Sequence, residues 1–227
     1  MFIPIHDANP RQYIHFHYAT AGLIGLNVLV FFVYQGTLAN EAEARAFALI
    51  PATFTGEALR SPEIALIPEG ATLLTHAFLH ADIWHLAGNM IFLWVFGDNV
   101  EDAVGHWKFV LFYCVCAIAA GLTQVWMTPD LEGPTIGASG AVSGVVAAYF
   151  LLHPRVKVWV LFMARIPLGL NAGWLLGAWI AYQLWHALSS GDESIAWWAH
   201  IGGITAGAVL ILFLRRPGVE LFDRKLA

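Results

Sequence analysis

Residues 133–154 read GPTIGASGAVSGVVAAYFLLHP, a stretch of 22 residues without a charged side chain. The part before Ser139 contains a proline and two glycines and is poor helix material, whereas the part from Ser139 to His153 favours a helix. At ~1.5 Å per residue this helix covers roughly 22 Å, less than the ~30 Å hydrocarbon core of a bilayer. We therefore predict a membrane helix that begins inside the membrane, where irregular backbone requires protein or a wet cavity beside it.

The apolar character of this stretch extends over the whole chain. Of 227 residues, 59% are hydrophobic and 12% are charged, which is far from the balance of a soluble domain. Several further charge-free stretches are long enough for a helix to cross a bilayer. They cover residues 12–40, 109–129, 166–191 and 194–214. A shorter stretch, 83–97, stays apolar beyond Asp98 as far as Val104.

These stretches predict an all-α polytopic membrane protein, a bundle of six transmembrane helices whose short fourth helix starts inside the membrane. Residues 1–227 are expected to form one domain. The predicted spans cover approximately residues 15–36, 84–104, 107–127, 139–154, 168–188 and 195–214. A long outer loop covers approximately 38–82, and the run Val158–Ala164 is too short to cross and is expected at the membrane interface.

The basic residues predict the orientation in the membrane. With six spans both termini lie on one side, together with nine of the eleven Lys and Arg residues. These nine are Arg11, Lys108, Arg155, Lys157, Arg165, Arg215, Arg216, Arg224 and Lys225. We therefore expect both termini in the cytoplasm of a bacterium and the protein in its cytoplasmic (inner) membrane. Residues 1–7 lack the basic region and short apolar core of a cleavable signal peptide, so none is expected.

Charge and cysteine content narrow the range of partners and cofactors. The net charge is −5 and no basic patch is present, so no nucleic-acid partner is expected, whereas the lipid bilayer is. Cys114 and Cys116 are two residues apart on one predicted helix, point about 200° apart, and cannot pair with each other. We expect no cofactor.

Four polar side chains from three predicted spans lie at similar depth. Counted at ~1.5 Å per residue from the charged cytoplasmic ends, Ser139 and His200 lie roughly 22–24 Å into the membrane. On the same scale, His85 and Asn89 lie roughly 18–24 Å from the acidic end of the second span. Polar groups inside a bilayer are costly and are usually functional, so these four residues form the candidate site.

Small residues flank the serine and the histidine. Pairs of glycines four residues apart let helix backbones approach closely in lipid. His200, Gly203 and Gly207 share one face of the sixth span, so we predict that this face packs on the fourth span. The small residues near the site are Gly137, Gly140, Gly144, Gly203 and Gly207.

A hydroxyl and an imidazole suffice for nucleophilic acyl transfer. Ser139 would be the nucleophile, and His200 would act as general base and then as general acid. The free N–H groups at the helix N-terminus, including that of Ser139, suit a developing oxyanion. The fourth, fifth and sixth charge-free stretches contain no Asp or Glu, and Asp192 and Glu193 are expected in an outer loop, so the sequence predicts a Ser–His dyad.

Each of these residues also has a structural interpretation. Taken alone, Ser139 could bond a backbone carbonyl, and Asn89 could join two helices by a hydrogen bond. His200 could ligate haem or a metal together with His85. Ser143, on the next helical turn, is expected to serve packing. The joint occurrence of the four polar residues at one depth favours catalysis over these readings.

Three neighbouring histidines are candidates for a metal site. His76, His80 and His85 include a pair at i and i+4, which suits zinc on a helix. The residues between His76 and His80 are apolar, and no H-E-x-x-H motif accompanies the three histidines. We therefore expect no metal, and expect His76 and His80 to line or cap the outer loop near the site.

Three separated motifs together are similar to those of the rhomboid intramembrane serine proteases. His85–Asn89 (HLAGN) resembles that family's H-x-x-x-N motif, and Gly137–Gly140 (GASG) resembles its G-x-S-G motif. Ala199–Gly203 (AHIGG), with Gly207, resembles its A-H-x-x-G-x-x-x-G motif. The motifs lie in the matching spans and in the matching order, and the resemblance covers most of the chain.

This resemblance implies roles for individual residues and a class of substrate. Ser139 would be the nucleophile and His200 the base, and the oxyanion would be held by the backbone N–H of Ser139 with the side chains of Asn89 and His85. The substrates would be single-span membrane proteins, cleaved near the outer membrane face. Water would enter from the outside, and the fifth span with the outer loops would gate substrate entry.

The chain departs from the family pattern at two places. Many members carry a Trp-Arg pair in the first outer loop, where this chain has Gly70–Leu74 (GATLL). Many also carry an aromatic residue four positions after the nucleophile, where this chain has Ser143. We expect that Trp197 or Trp198 could instead contact the ring of His200. Neither departure removes a catalytic group, so we favour an active protease. The two alternatives are a non-catalytic relative that binds membrane proteins, and a membrane protein that binds haem or a metal.

Overall fold

The computed structural model describes residues 2–38, 41–163, 165–189 and 195–223. Helices make up most of these residues, which confirms the predicted helical fold class. The helices are α1 (Tyr18–Leu29, continued as a π-helix over Val30–Leu38), α2 (Glu41–Arg45), α3 (Pro51–Thr55), α4 (Glu69–Thr75), α5 (Ile83–Val104), α6 (His106–Met127), α7 (Ser139–Leu152), α8 (Ala172–Ser189) and α9 (Trp197–Leu214). Short 3₁₀ turns cover Pro62–Ile64 and His76–Phe78.

Several of these helices are apolar enough to cross a membrane. Among the described residues, the segments Tyr18–Gly36, His106–Met127 and Trp197–Leu214 have the length and composition of a span. Helix α7 is equally apolar but has 14 residues, or roughly 21 Å of helix. It begins at Ser139, as the break after Gly137 predicts.

Helix α7 lies at the centre of the bundle and packs against α5, α6 and α9. All but three of its 14 residues are buried, because neighbouring helices cover every side of it below its first turn. The hydrophobic core that includes α7 contains the fully buried rings of Phe96, Phe109, Phe112, Tyr113 and Tyr149. The bundle therefore holds the helix that carries Ser139 in a fixed position.

A small antiparallel sheet, which the sequence did not predict, adds to the helices. Its strands β1 (Phe2–Asp7), β2 (Lys157–Phe162) and β3 (Ile166–Asn171) are ordered β1-β2-β3. In β2 the buried Val158 and Val160 alternate with exposed neighbours, which is the period-2 pattern of a strand with one face on the core. The run expected at the membrane interface thus forms a strand over most of its length, and Ala164 lies outside the described residues.

Acidic side chains at the end of α5 fix the start of α1. Glu101 is fully buried and accepts hydrogen bonds from the backbone N–H groups of Ala19 and Thr20, at 3.0 and 2.7 Å. Asp102 accepts from three backbone N–H groups just before α1, at 2.7–2.8 Å. Glu101 thus satisfies first-turn amides of α1 that have no partner within the helix, and Asp102 fixes the chain that leads into it.

Arg60 anchors the segment between α1 and α5. The Arg60 guanidinium donates to the carbonyl oxygens of Ala46, at 2.7 Å, and Ile67, at 2.9 Å. It also forms an ion pair with Glu69 at 3.3 Å. One side chain therefore ties three parts of this segment together.

Candidate active site

Helices α7 and α9 approach so closely that only glycine fits between them. A Cβ atom on Gly203 would lie 1.8 Å from the carbonyl oxygen of Gly140, and one on Gly207 would lie 2.2 Å from that of Gly144. The predicted glycine face of α9 thus lies directly on the glycine face of α7. This approach brings the first turn of α9 against the first turn of α7.

The serine and the histidine meet at this contact. The Ser139 hydroxyl lies 2.8 Å from Nε2 of His200, and the two groups form a hydrogen bond. Both side chains are half-buried. A hydroxyl that donates to an imidazole nitrogen is the arrangement from which a base removes the proton of a nucleophile.

Ser139 is the first residue of α7 and follows a turn that requires glycine. Gly137 has φ +121°, and a Cβ atom there would lie 2.7 Å from the ring of His85. Its N–H donates to the carbonyl oxygen of His76 at 2.9 Å, and Thr135 pairs with Leu49 as an antiparallel bridge. The segment before α7 is therefore held by the loop between α1 and α5.

Helix α5 supplies the two predicted oxyanion residues. Asp82 caps this helix by accepting from the N–H groups of Trp84 and His85, each at 2.8 Å, so His85 lies in its first turn. The ring of His85 contacts Gly137, and Asn89 lies one turn further into the bundle, where it is buried. The Asn89 side chain donates to the carbonyl oxygen of His85 at 3.1 Å.

His80 lies behind the start of α7. Its side chain is buried, and its Nε2 lies 3.5 Å from the N–H of Ala138. The rings of His80 and His85 meet edge to face, with centroids 5.2 Å apart. Burial, with a smaller effect of His85, lowers the pKa of His80 to about 4, so its ring is neutral at neutral pH and can accept the N–H.

A second histidine, His76, also lies in the segment between α1 and α5. His76 is buried, and its Nδ1 lies 2.9 Å from the carbonyl oxygen of Thr72. Burial lowers the pKa of His76 to about 4. His76 and His80 both lie in the segment between α1 and α5 and contact the residues just before α7, since the carbonyl oxygen of His76 accepts from the N–H of Gly137. Across the described ranges, no three His, Cys, Asp or Glu residues are grouped so that they could hold a metal ion.

The ring of His200 has a second polar partner that sequence reasoning missed. Its Nδ1 lies 2.8 Å from Oε1 of Gln183, a buried residue of α8. The indole ring of Trp197 contacts the His200 ring edge to face, with ring centroids 5.9 Å apart. The prediction that Trp197 or Trp198 contacts this ring is therefore confirmed for Trp197. A polar amide within the mostly apolar fifth predicted span was the available signal for Gln183.

A second missed residue fixes the start of α9. The Oε1 of Gln124, on α6, accepts from the N–H of Ala199 at 3.1 Å, and its amide group donates to Thr128 at 2.9 Å. The N–H of Ala199 lies in the first turn of α9, where the helix itself offers no acceptor. Gln124 therefore holds the backbone next to His200.

The remaining sequence candidates lie apart from this contact. Ser143 is buried one turn along α7, and the hydroxyl that meets His200 belongs to Ser139. Cys114 and Cys116 are both free thiols, half-buried and buried respectively. Asp192 and Glu193 lie outside the described residues.

Comparison with known proteins gives one family match and several relatives. Residues 68–217 match the family model described as "Rhomboid domain". The mitochondrial Rhomboid protein 1 of Saccharomyces cerevisiae is 32% identical over 165 residues, which cover 68% of this chain and 45% of the relative. The mitochondrial presenilin-associated rhomboid-like protein of Homo sapiens is 27% identical over 210 residues, covering 88% of this chain and 51% of the relative.

A bacterial relative also matches. The rhomboid protease GluP of Bacillus subtilis is 28% identical over 205 residues, which cover 89% of this chain and 36% of the relative. The chain spans about half of the mitochondrial relatives, and about a third of GluP. The matched region contains all four polar residues of the site.

Proposed function

The chain belongs to the rhomboid family of helical integral membrane proteins, as its motifs indicated, and from this premise we propose that it is an intramembrane serine endopeptidase. The family includes serine intramembrane proteases, whose substrates are transmembrane proteins. The observation that carries the proposal is the 2.8 Å contact between Ser139 Oγ and His200 Nε2 at the N-terminus of α7.

In the proposed reaction, His200 removes the hydroxyl proton of Ser139 while Oγ attacks the carbonyl carbon of the scissile peptide bond. The carbonyl oxygen becomes an oxyanion, for which the N–H of Ser139 and the side chains of Asn89 and His85 are the donors. The protonated His200 then gives its proton to the leaving amine, and the C–N bond breaks. Water, activated by His200, hydrolyses the acyl-enzyme and restores the serine.

The position of Ser139 supports its role as nucleophile. It begins α7, so the free N–H groups of that first turn and the positive end of the helix dipole lie beside its hydroxyl. The ring of His85 lies against Gly137, just before the serine, and Asn89 lies one turn further on the same helix. These donors are carried by two helices that the bundle packs together, so they are preorganised for charge that develops in the transition state.

The proposed substrates are single-span membrane proteins, cut near the outer membrane face. We propose cytoplasmic termini and the segment of about residues 38–82 on the outer side, because the basic residues concentrate at the other end. A bacterial cytoplasmic membrane is the proposed location, and the relatives above include mitochondrial as well as bacterial proteins. The proposed chemistry calls on no cofactor and on no nucleic acid.

Cleavage in proteoliposomes tests this function. A single-span substrate reconstituted with the wild-type protein should be cut within or near its membrane segment, and the Ser139→Ala and His200→Ala variants should leave it intact. The Ser143→Ala variant is the matched control, since it removes a hydroxyl from the same helix and should cleave normally. Binding of the substrate without cleavage by the wild type would favour a non-catalytic rhomboid, and a haem absorption band would favour a haem protein.

A further inference from the structure

Gln183 is a buried amide on α8, one of five buried residues among the 18 of that helix. Its side chain is 4% exposed, whereas the residues on either side of it, Tyr182 and Leu184, are 52% and 45% exposed. A polar group at such a position is costly unless it is hydrogen-bonded. Its Oε1 makes that bond to Nδ1 of His200 at 2.8 Å.

This bond fixes which nitrogen of the histidine carries the proton. An amide oxygen can only accept, so the proton of the neutral ring lies on Nδ1. The lone pair of Nε2 is then directed at Ser139, whose hydroxyl lies 2.8 Å away. Gln183, His200 and Ser139 thus form a continuous chain of two hydrogen bonds across α8, α9 and α7.

We propose that Gln183 is a positioning residue for His200, in the place that a carboxylate occupies in a Ser–His–acid triad; this inference rests on the proposed protease function. The amide holds the ring in the tautomer that can take the serine proton, and it faces the ring when the ring becomes positively charged. A neutral amide does this without burying a charge among apolar helices. The orientation of the base therefore depends on a third helix, α8.

The contrasting interpretation is that Gln183 only packs between α8 and α9. The two interpretations predict opposite orders for two substitutions of similar length. Gln183→Met fills the space but offers no acceptor for the Nδ1 proton, whereas Gln183→Glu retains an acceptor oxygen. A packing residue in an apolar setting tolerates methionine better than a carboxyl group, because burying the carboxyl is costly.

The experiment measures kcat and KM for cleavage of a single-span substrate in proteoliposomes, with thermal unfolding of each variant. We expect Gln183→Met to lower kcat by roughly 10- to 100-fold, the range for a hydrogen bond to a charged group, while KM changes by about twofold or less. Gln183→Glu should be more active than Gln183→Met. The matched control is Ser189→Ala, which removes an exposed hydroxyl of α8 that donates to the carbonyl oxygen of Trp185 in the same helix, and it should match the wild type.

Three results would overturn the inference. They are a Gln183→Met variant with wild-type kcat, a Gln183→Glu variant less active than Gln183→Met, and, in variants that are folded in the assay, a fall in kcat no larger than the fall in the folded fraction. If the methionine variant does not fold, Gln183→Asn takes its place, because the shorter amide stays polar but withdraws the acceptor. If the wild type cleaves the substrate, the cleavage requires Ser139, and the Gln183 variants behave normally, only this inference is refuted. If the wild type shows no cleavage that requires Ser139, the proposed function is refuted as well.

Discussion

Replacing Gly203 with alanine should separate the two catalytic helices. The new Cβ atom would lie 1.8 Å from the carbonyl oxygen of Gly140, and ordinary contact begins near 3.4 Å, so the backbones must move apart by about 1.6 Å. His200 lies three residues earlier on the same face of α9 and would move with it. The 2.8 Å hydrogen bond to Ser139 would then lengthen beyond bonding distance.

The expected loss of activity is large because catalysis depends on sub-ångström placement. A misplacement of about 1 Å can lower the rate by ~10²-fold, so we expect Gly203→Ala to cleave at least that much more slowly. Strain from the added methyl group should also lower the free energy of unfolding by roughly 1–3 kcal/mol. Both are measurable on the purified protein, by substrate cleavage in proteoliposomes and by thermal unfolding in detergent.

A matched substitution isolates the effect of the helix contact. A Cβ atom on Gly25, in α1, meets nothing within 4 Å, so Gly25→Ala should retain wild-type cleavage and stability. Gly207→Ala, one turn further from His200, should also impair the enzyme, since its Cβ would lie 2.2 Å from the carbonyl oxygen of Gly144. A Gly203→Ala variant that cleaves as fast as Gly25→Ala would refute the argument that this contact sets the catalytic geometry.

Three further substitutions test other parts of the account. Burial raises the pKa of Asp7 in β1 from its ordinary 3.8 to about 6, and the hydrogen bond from Tyr149 opposes this with a smaller effect. Between pH 3.8 and about 6 the folded chain therefore binds more protons than the unfolded chain. The free energy of unfolding should therefore fall as pH rises through this window, by up to about 3 kcal/mol. Asp7→Asn should remove this pH dependence from thermal unfolding measured between pH 4 and 7, and a variant with the same pH dependence as the wild type would contradict the prediction. Asn89→Ala should lower kcat by up to ~10²–10³-fold through the loss of an oxyanion donor, and a normal kcat would exclude that role. Glu101→Leu should lower the free energy of unfolding by about 2–4 kcal/mol, because it leaves two first-turn amides of α1 without a partner, and an equally stable variant would count against this capping.

The parts of the site that sequence predicted are those that the membrane makes conspicuous. Ser139 and His200 stand out because polar groups are rare in apolar spans, and helix rise converts their positions into one depth. The glycine pairs predicted a close contact because nothing else permits one in lipid. The break after Gly137 predicted the start of α7 because that stretch could not continue a helix.

The missed parts depend on contacts between distant segments. Gln183 lies 17 residues before His200, beyond a loop, so no spacing along one helix relates the two. The Arg60 anchor and the Tyr149–Asp7 hydrogen bond, which spans 142 residues, likewise arise only in the folded chain. The sheet was missed because six-residue strands resemble short apolar or interfacial runs, although the alternation at Val158 and Val160 carried a signal.

The most direct test of the central claim is covalent labelling with a serine-reactive fluorophosphonate. The detergent-solubilised wild type should be labelled once, at Ser139 as located by mass spectrometry of the digested protein, because the hydroxyl of Ser139 lies 2.8 Å from the imidazole of His200. Ser139→Ala and His200→Ala should not be labelled, and Ser143→Ala should be labelled normally. Labelling that survives Ser139→Ala, or that maps to another serine, would contradict the account.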